Sequence, residues 1–294
     1  MNFKEKISIF YTDLTTTEKR ICANILKNPK IITEHSIVEA GNLCNTSKSA
    51  MLRFAKKLEY SGYSEFKYAI NEYYSSQKDY PKKINDNTLA SQIILNFKKT
   101  VDQLANLNLD DKLKELSELI DTYQYVKALG IGNSSFCANQ LVYSLYSYDK
   151  FFDAVTDDVQ FSYLKNCLNE NYLLIIFSVS GSPTTYLELL KEAKKKNAYV
   201  VLITMNNETQ LAKYSNMTFY LPSTISYLQD KKILKQFDNR TTLHFFSEVI
   251  SYYYGFYIEN KKSLATICDR AFLTNMINTI IIIDILKLNI GKMF

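Results

Sequence analysis

The sequence predicts an α/β chain in two parts: an all-α head, then a three-layer αβα body built on a parallel sheet. Three observations predict it. The chain has 294 residues, 47% of them apolar, enough for more than one small core. Its first quarter shows helical spacing and helix caps but no strand-like runs. From Tyr125 onward, short apolar runs ending in Gly or Ser alternate with amphipathic stretches. That alternation is the signature of parallel strands joined by helices.

The head begins with "LTTTEKRICANILKN". Thr15 as N-cap and Glu18 three residues later form a capping box. Ile21, Ile25 and Leu26 follow at helical spacing, and Asn28-Pro29 stops the helix. "HSIVEAGNL" predicts a short second helix capped by Ser36, "CNT" a turn, and "SKSAMLRFAKKLEY" a third helix capped by Ser47. A turn at Gly62 leads into a fourth helix, "SGYSEFKYAINEYYSS". The polar stretch "SQKDYPKKINDNT", with Pro81, reads as a linker or elbow.

Two helical runs follow, "LASQIILNFKKTVDQLANL" and "DKLKELSELIDTY". Strands are then expected at "YVKALGIG", "YLLIIFSVSG", "AYVVLITMN" and "MTFYLP". Helices are expected between them at "FCANQLVYSLYSY", "DDVQFSYLKNCL", "PTTYLELLKEAKKKN" and "ETQLAKYS". A strong helix, "RTTLHFFSEVISYYYGFYIEN", comes last.

Charge is uneven. Residues 1–83 hold 14 Lys/Arg against 9 Asp/Glu, while the remainder holds 21 against 21, so the whole net charge of +5 sits on the head. A basic head on a neutral body suggests a polyanion partner. The five cysteines, Cys22, Cys44, Cys137, Cys167 and Cys268, include no CxxC pair. This speaks against a metal site or a disulfide framework and for reduced thiols in the cytoplasm. "MNFKEKISIFYTD" has no apolar core of a signal peptide. The greasy run "MINTIIIIDILKLNI" is broken by Asn278, Asp284 and Lys287, so no membrane span is expected.

On the third helix, Met51, Phe54, Ala55 and Leu58 share an inward face. Lys48, Ser49, Arg53 and Lys56 share the other. Two short helices with a tight turn, the second carrying outward cations, form the plan of a major-groove reader. An arginine fork can read guanine or phosphate, whereas lysines mainly bind phosphate. A small helical bundle with a solvated charged face is the plain alternative. "LTTTEKRICANILKNP" with "SKSAMLRFAKKLEYSGYSEFK" resembles the N-terminal helix-turn-helix of RpiR/MurR-type transcriptional regulators. The resemblance implies operator DNA as partner and Ser47, Lys48, Ser49, Arg53, Lys56 and Lys57 as the DNA-binding set. The chain departs from the pattern with Gly41 inside the second helix, Asn45 at the turn glycine, and Glu59 where a glycine usually follows Lys57-Leu58. Asn can adopt the left-handed conformation at such a turn.

Two loops carry the candidate chemistry of the body. "ALGIGNSSFCANQL" offers Gly130 and Gly132 after a strand, but Ser135 stands where a dinucleotide fingerprint needs its third glycine, so no NAD cofactor is expected. "SVSGS" lacks the GxSxG of a nucleophile elbow, and nothing in the sequence brings His244 to Ser180. The remaining reading is an anion cradle. Loops 132–135 and 178–184 follow strands and enter helices, where N–H groups and the helix dipole favour phosphate. Gly181 would allow close backbone approach and Pro183 suits the first helical turn, while Gly132 and Ser182 are counted among the sugar-phosphate-binding positions. The plain alternative is that the serines only cap two helices.

"GIGNSS", "IIFSVSGSPTTYLELLKEAKKKNAYVVLIT" and "ETQLAKYSNMTFYLP" resemble the SIS (sugar isomerase) domain, a phosphosugar-binding fold. "NRTTLHFFSEVISYYYG" is similar to the last helix of these regulators. The resemblance implies that Ser134, Ser135, Ser178 and Ser180 contact the ligand. Where a threonine is common the chain has Pro183, so Thr184 or Thr185 takes over that contact or it is lost.

The expected organisation is a helix-turn-helix domain at 1–77, a linker and connecting helix at 78–106, a SIS domain at 107–260 and a helical tail at 261–294. The expected function is transcription regulation by a dimer, or a dimer of dimers, that senses a phosphorylated sugar or amino sugar. No catalytic residue or metal is expected. The alternative is a sugar-phosphate isomerase with an accessory nucleic-acid-binding head. It needs a general base, for which Glu248 and His244 are the late-helix candidates.

Overall fold

A computed structural model describes residues 1–75, 88–223 and 241–263. The linker stretch 76–87 and the tail beyond 263 lie outside the described residues, so the expectations made for them fall there too.

The head is built from six helices: α1 (Phe3–Phe10), α2 (Thr16–Lys27), α3 (Lys30–Thr33), α4 (Ile37–Leu43), α5 (Lys48–Lys57) and α6 (Tyr63–Ser75). The expected caps are present. Thr15 and Glu18 form a reciprocal capping box on α2, Ser36 and Glu39 another on α4, and the Ser47 hydroxyl accepts from Ala50 N on α5. Asn28 closes α2. Two helices were not expected. α1 buries Phe3, Ile7 and Phe10 against the rest of the head, and α3 is a single turn that buries Ile32. Asn45 takes φ 51° and Glu59 φ 59°. Two of the three departures from the family pattern, Asn45 and Glu59, therefore stand in the left-handed conformation that glycine adopts most easily.

After α7 (Leu89–Ala105) and α8 (Asp110–Thr122), the body alternates β1 (Tyr125–Leu129), α9 (Ser134–Leu145), β2 (Asp153–Val155), α10 (Asp158–Cys167), β3 (Tyr172–Ser178), α11 (Pro183–Lys195), β4 (Tyr199–Thr204) and β5 (Met217–Tyr220). A 3₁₀ turn, Gln210–Tyr214, replaces the helix expected at "ETQLAKYS". β2 was not expected. It pairs three residues at the sheet edge, Lys127 opposite Asp153 through Leu129 opposite Val155. Residues 241–263 form a further helix, α12.

All five strands are parallel, in the order β2-β1-β3-β4-β5. The period of two divides the core. Leu173, Ile175, Phe177, Val201 and Ile203 face the side packed by α9 and α12. Leu174, Ile176, Val200 and Leu202 face the side packed by α10 and α11. Strands covered on both faces read as unbroken apolar runs, which is why "YLLIIF" and "YVVLI" were legible as buried parallel strands. The first of these two clusters is continuous with the head core, from Phe3 to Phe66.

Candidate functional site

The strand order reverses between β1 and β3, and in an open parallel sheet the crevice beyond such a switch point is where ligands bind. Both serine loops end there. In the first, Gly132 takes φ 59°, and the N–H groups of Ser134, Ser135 and Phe136 donate to the carbonyls of Ile131, Gly132 and Asn133. The Ser135 hydroxyl donates to the Gly132 carbonyl at 2.6 Å. In the second, Gly181 takes φ 58° and its carbonyl accepts from the Thr209 hydroxyl at 2.7 Å. A Cβ on Gly181 would meet Thr209 Oγ1 at 2.6 Å, so the loop is held against Thr209 at a distance only glycine permits.

Between the loops lies a cavity of about 560 Å³. Ser134, Ser178, Ser180, Ser182, Thr184 and Thr185 give it six hydroxyl-bearing side chains. Side-chain capping does not account for them: the N-cap residues are Asn133 on α9 and Ser182 on α11, and neither helix has a side-chain cap bond. The Ser182 hydroxyl instead meets Thr184 Oγ1 at 2.9 Å and accepts from Thr185 Oγ1 at 3.2 Å. Pro183 occupies the first position of α11, where its missing N–H costs nothing. Of the nine positions expected for this site, Gly132, Ser135 and Gly181 shape the loops and the other six line the cavity.

Two residues that the sequence reading did not single out hold the loops. The Tyr186 hydroxyl accepts from Ile131 N at 3.2 Å and donates to the Phe177 carbonyl at 3.4 Å, fastening the first loop to the end of β3. Burial pushes the Tyr186 phenol above its usual pKa, so it stays protonated and keeps both roles. Asn206, fully buried, donates to the Ser180 carbonyl at 2.9 Å and so ties down the second loop.

The late-helix candidates for a general base stand elsewhere. Glu248 accepts from Gln140 Nε2 at 2.5 Å and from Ser144 Oγ at 3.1 Å. His244 lies beside Phe136, ring centroids 6.4 Å apart, in a separate hollow on α9. Among the described residues no group of three or more His, Cys, Asp or Glu side chains could hold a metal, and no helix is long and apolar enough to cross a membrane.

On the head, α4 and α5 enclose a turn at 44–46. Ala50, Met51, Phe54 and Ala55 are buried, while Ser47, Lys48, Ser49, Arg53 and Lys56 are exposed together. Arg20 on α2 donates to the Asn45 carbonyl at 3.0 Å and braces the left-handed turn. Lys57 stands apart from that exposed group: its ammonium pairs with Glu18 at 3.1 Å, and the residue is among those lining the serine cavity.

The head and the body each match a known family. The family described as "Helix-turn-helix domain, rpiR family" matches residues 1–77, and the SIS domain matches residues 126–234. The head thus carries a helix-turn-helix domain of the rpiR family, and the body carries a SIS domain. A relative, the HTH-type transcriptional regulator GlvR of Bacillus subtilis, is 25% identical over 235 residues, covering 79% of this chain and 87% of that protein. The sugar isomerase domain of an RpiR transcription factor from Sphaerobacter thermophilus shares the fold at a TM-score of 0.52 and 15% identity. It covers 63% of this chain and 99% of that one. An E. coli CFT073 protein, c3406, shares it at a TM-score of 0.50 and 19% identity. That match covers 59% of this chain and 90% of the other.

Proposed function

We propose that this rpiR-type regulator reads operator DNA with the exposed face of α5 and senses a phosphorylated sugar or amino sugar in the serine cavity. The observation that carries the effector reading is the set of six hydroxyl side chains lining one cavity at the β1/β3 switch point while neither adjoining helix uses them as caps. The regulator acts without catalysis. Among the described residues the cavity holds one carboxylate, Asp13, and no histidine, while Glu248 and His244 are engaged elsewhere. The working units are the head at 1–77, the connecting segment at 78–106, the body at 107–260 and the tail beyond. The protein works in the cytoplasm as a homodimer or dimer of dimers. Exposed Phe136 and Tyr143 on α9, with Phe245 and Tyr252 on α12, form the face a second copy would cover. Paired heads then meet DNA half-sites about one helical turn apart.

Two measurements test the two halves. A thermal-shift screen of sugar phosphates should give a stabilising ligand, and Ser180→Ala should remove that stabilisation. An intact shift in the Ser180→Ala protein would contradict the cradle. In a mobility shift on the DNA upstream of the gene, Arg53→Ala should weaken binding by about 1–3 kcal/mol. Unchanged binding would take Arg53 out of the recognition set.

A further inference from the structure

The serine cavity is closed on one side by the head. Phe10 and Asp13, from α1 and the turn after it, and Lys57, from the last turn of α5, line it with the serines. Among its described lining residues Lys57 is the one cation, and the body supplies only neutral polar groups. Hydroxyls and helix N-termini give a phosphate no full counter-charge. Charge-assisted hydrogen bonds are roughly twice as strong as neutral ones, and the one lining group that can make them, Lys57, comes from the head.

Lys57 is placed to move. Its side chain is 33% exposed and rests on Glu18 at 3.1 Å. Glu18 does not depend on it, because the carboxylate also accepts from Thr15 N at 2.8 Å and Thr15 Oγ1 at 2.9 Å. Burial alone would raise the Glu18 pKa, but the hydrogen bonds from Thr15 and Lys57 outweigh it and hold the carboxyl below its usual value. A lysine on a four-carbon stem can leave such a partner for a phosphate at little steric cost.

A second, independent contact joins the same two places. The Asn206 amide that donates to the Ser180 carbonyl also reaches Glu59 Oε2 at 3.4 Å. Glu59 is the left-handed residue two positions after Lys57. Beside it, Glu208 pairs with Lys6 at 2.8 Å and with the N-terminal ammonium at 3.0 Å. The end of α5 is thus already seated on the loop that carries Ser180.

We infer that Lys57 is a ligand-binding residue of the body's cavity, so that a phosphorylated sugar bridges the end of the DNA-reading helix to the SIS domain. The inference rests on the phosphosugar reading of the cavity. On binding, the phosphate takes Lys57 from Glu18, and the hydroxyls and Asp13 are left to hold the sugar. The α5 face bearing Arg53 is then fixed relative to the body. Ligand and DNA affinities become coupled, by the same factor in each direction.

The test is titration calorimetry on the full-length chain with glucose 6-phosphate, fructose 6-phosphate and glucosamine 6-phosphate, followed by variants with the tightest binder. Lys57→Met should weaken binding tenfold or more, and Lys57→Arg should retain most of it. Glu18→Gln, which keeps the capping box and frees Lys57, should tighten binding severalfold. That opposite sign separates ligation from damage to the fold. In the mobility shift, the effect of the sugar on DNA binding should vanish in Lys57→Met. If the unaltered chain binds and Ser180→Ala does not, yet Lys57→Met binds normally, the Lys57 assignment is overturned while the cavity reading stands. If none of the three sugars binds the unaltered chain, the cavity reading fails and the assignment falls with it.

Discussion

Phe66→Ala is expected to destabilise the head by about 3–5 kcal/mol, the cost of a large-to-small change in a core that cannot close up. Phe66 is fully buried on α6. Its ring centroid lies 5.8 Å from Phe3 on α1, 5.6 Å from Phe54 on α5, and 5.4 Å from Tyr60. Each of those rings is fixed by a different element, so none can swing into the space an alanine leaves. Edge-to-face pairs add about 0.5–1.5 kcal/mol each beyond simple burial, and two of them, to Phe3 and Phe54, would be lost. Whole domains are stable by only about 5–15 kcal/mol. The chain has no tryptophan, so urea unfolding is best followed by far-ultraviolet circular dichroism. The midpoint should fall sharply and the DNA mobility shift should be lost, because Phe54 seats α5, the helix proposed to read DNA. A loss below about 1 kcal/mol would mean that this ring cluster does not hold the head together.

What was legible in the sequence was mostly local or strongly periodic. The Thr15–Glu18 and Ser36–Glu39 boxes span three residues each, and the structure forms both. β3 and β4 are buried on both faces, and an apolar run is all that such a strand needs. The place of the loop serines, between strand ends and helix starts, was legible because a strand, a small-residue turn and a helix start follow one another in the chain. β2 was not: three residues are too few to show a period, and the strand exists through its pairing with β1 and the Lys127–Asp153 ion pair. α1 is helical because Phe3 and Ile7 have the head core to pack on, and that core is assembled from residues far along the chain. Tyr186 drew no reading from the sequence. Its bond to Ile131 crosses 55 positions. Lys57 was grouped with the other cations of α5, since spacing on one helix cannot show that Glu18, 39 positions earlier, draws it to the opposite side.

Gly130→Ala should damage the effector site most severely while sparing the head. A Cβ at Gly130 would sit 2.3 Å from the Ser134 carbonyl oxygen, 2.5 Å from its carbon and 2.9 Å from Ser135 N. All three are backbone atoms of the first turn of α9, so no side-chain rotation relieves the clash. The turn itself must shift, carrying Ser134 out of the cavity and straining the Ile131–Tyr186 bond that fastens the loop. Gly130 cannot retreat the other way without giving up its own bond to the Val155 carbonyl at 3.2 Å. Overpacking of this kind costs about 3 kcal/mol, at the upper end of its usual range. Gly132→Ala is the matched control. Its Cβ would meet nothing within 4 Å, and its φ of 59° adds only the left-handed strain of about 1–2 kcal/mol. The expected order is therefore a large fall in melting temperature and no sugar-phosphate stabilisation for Gly130→Ala, against a small fall with stabilisation retained for Gly132→Ala. DNA binding without sugar should persist in both, since neither change touches α4 or α5. Equal falls in the two variants would mean that the first loop yields as a whole, and that the close approach of β1 to α9 is not what holds Ser134 in the cradle.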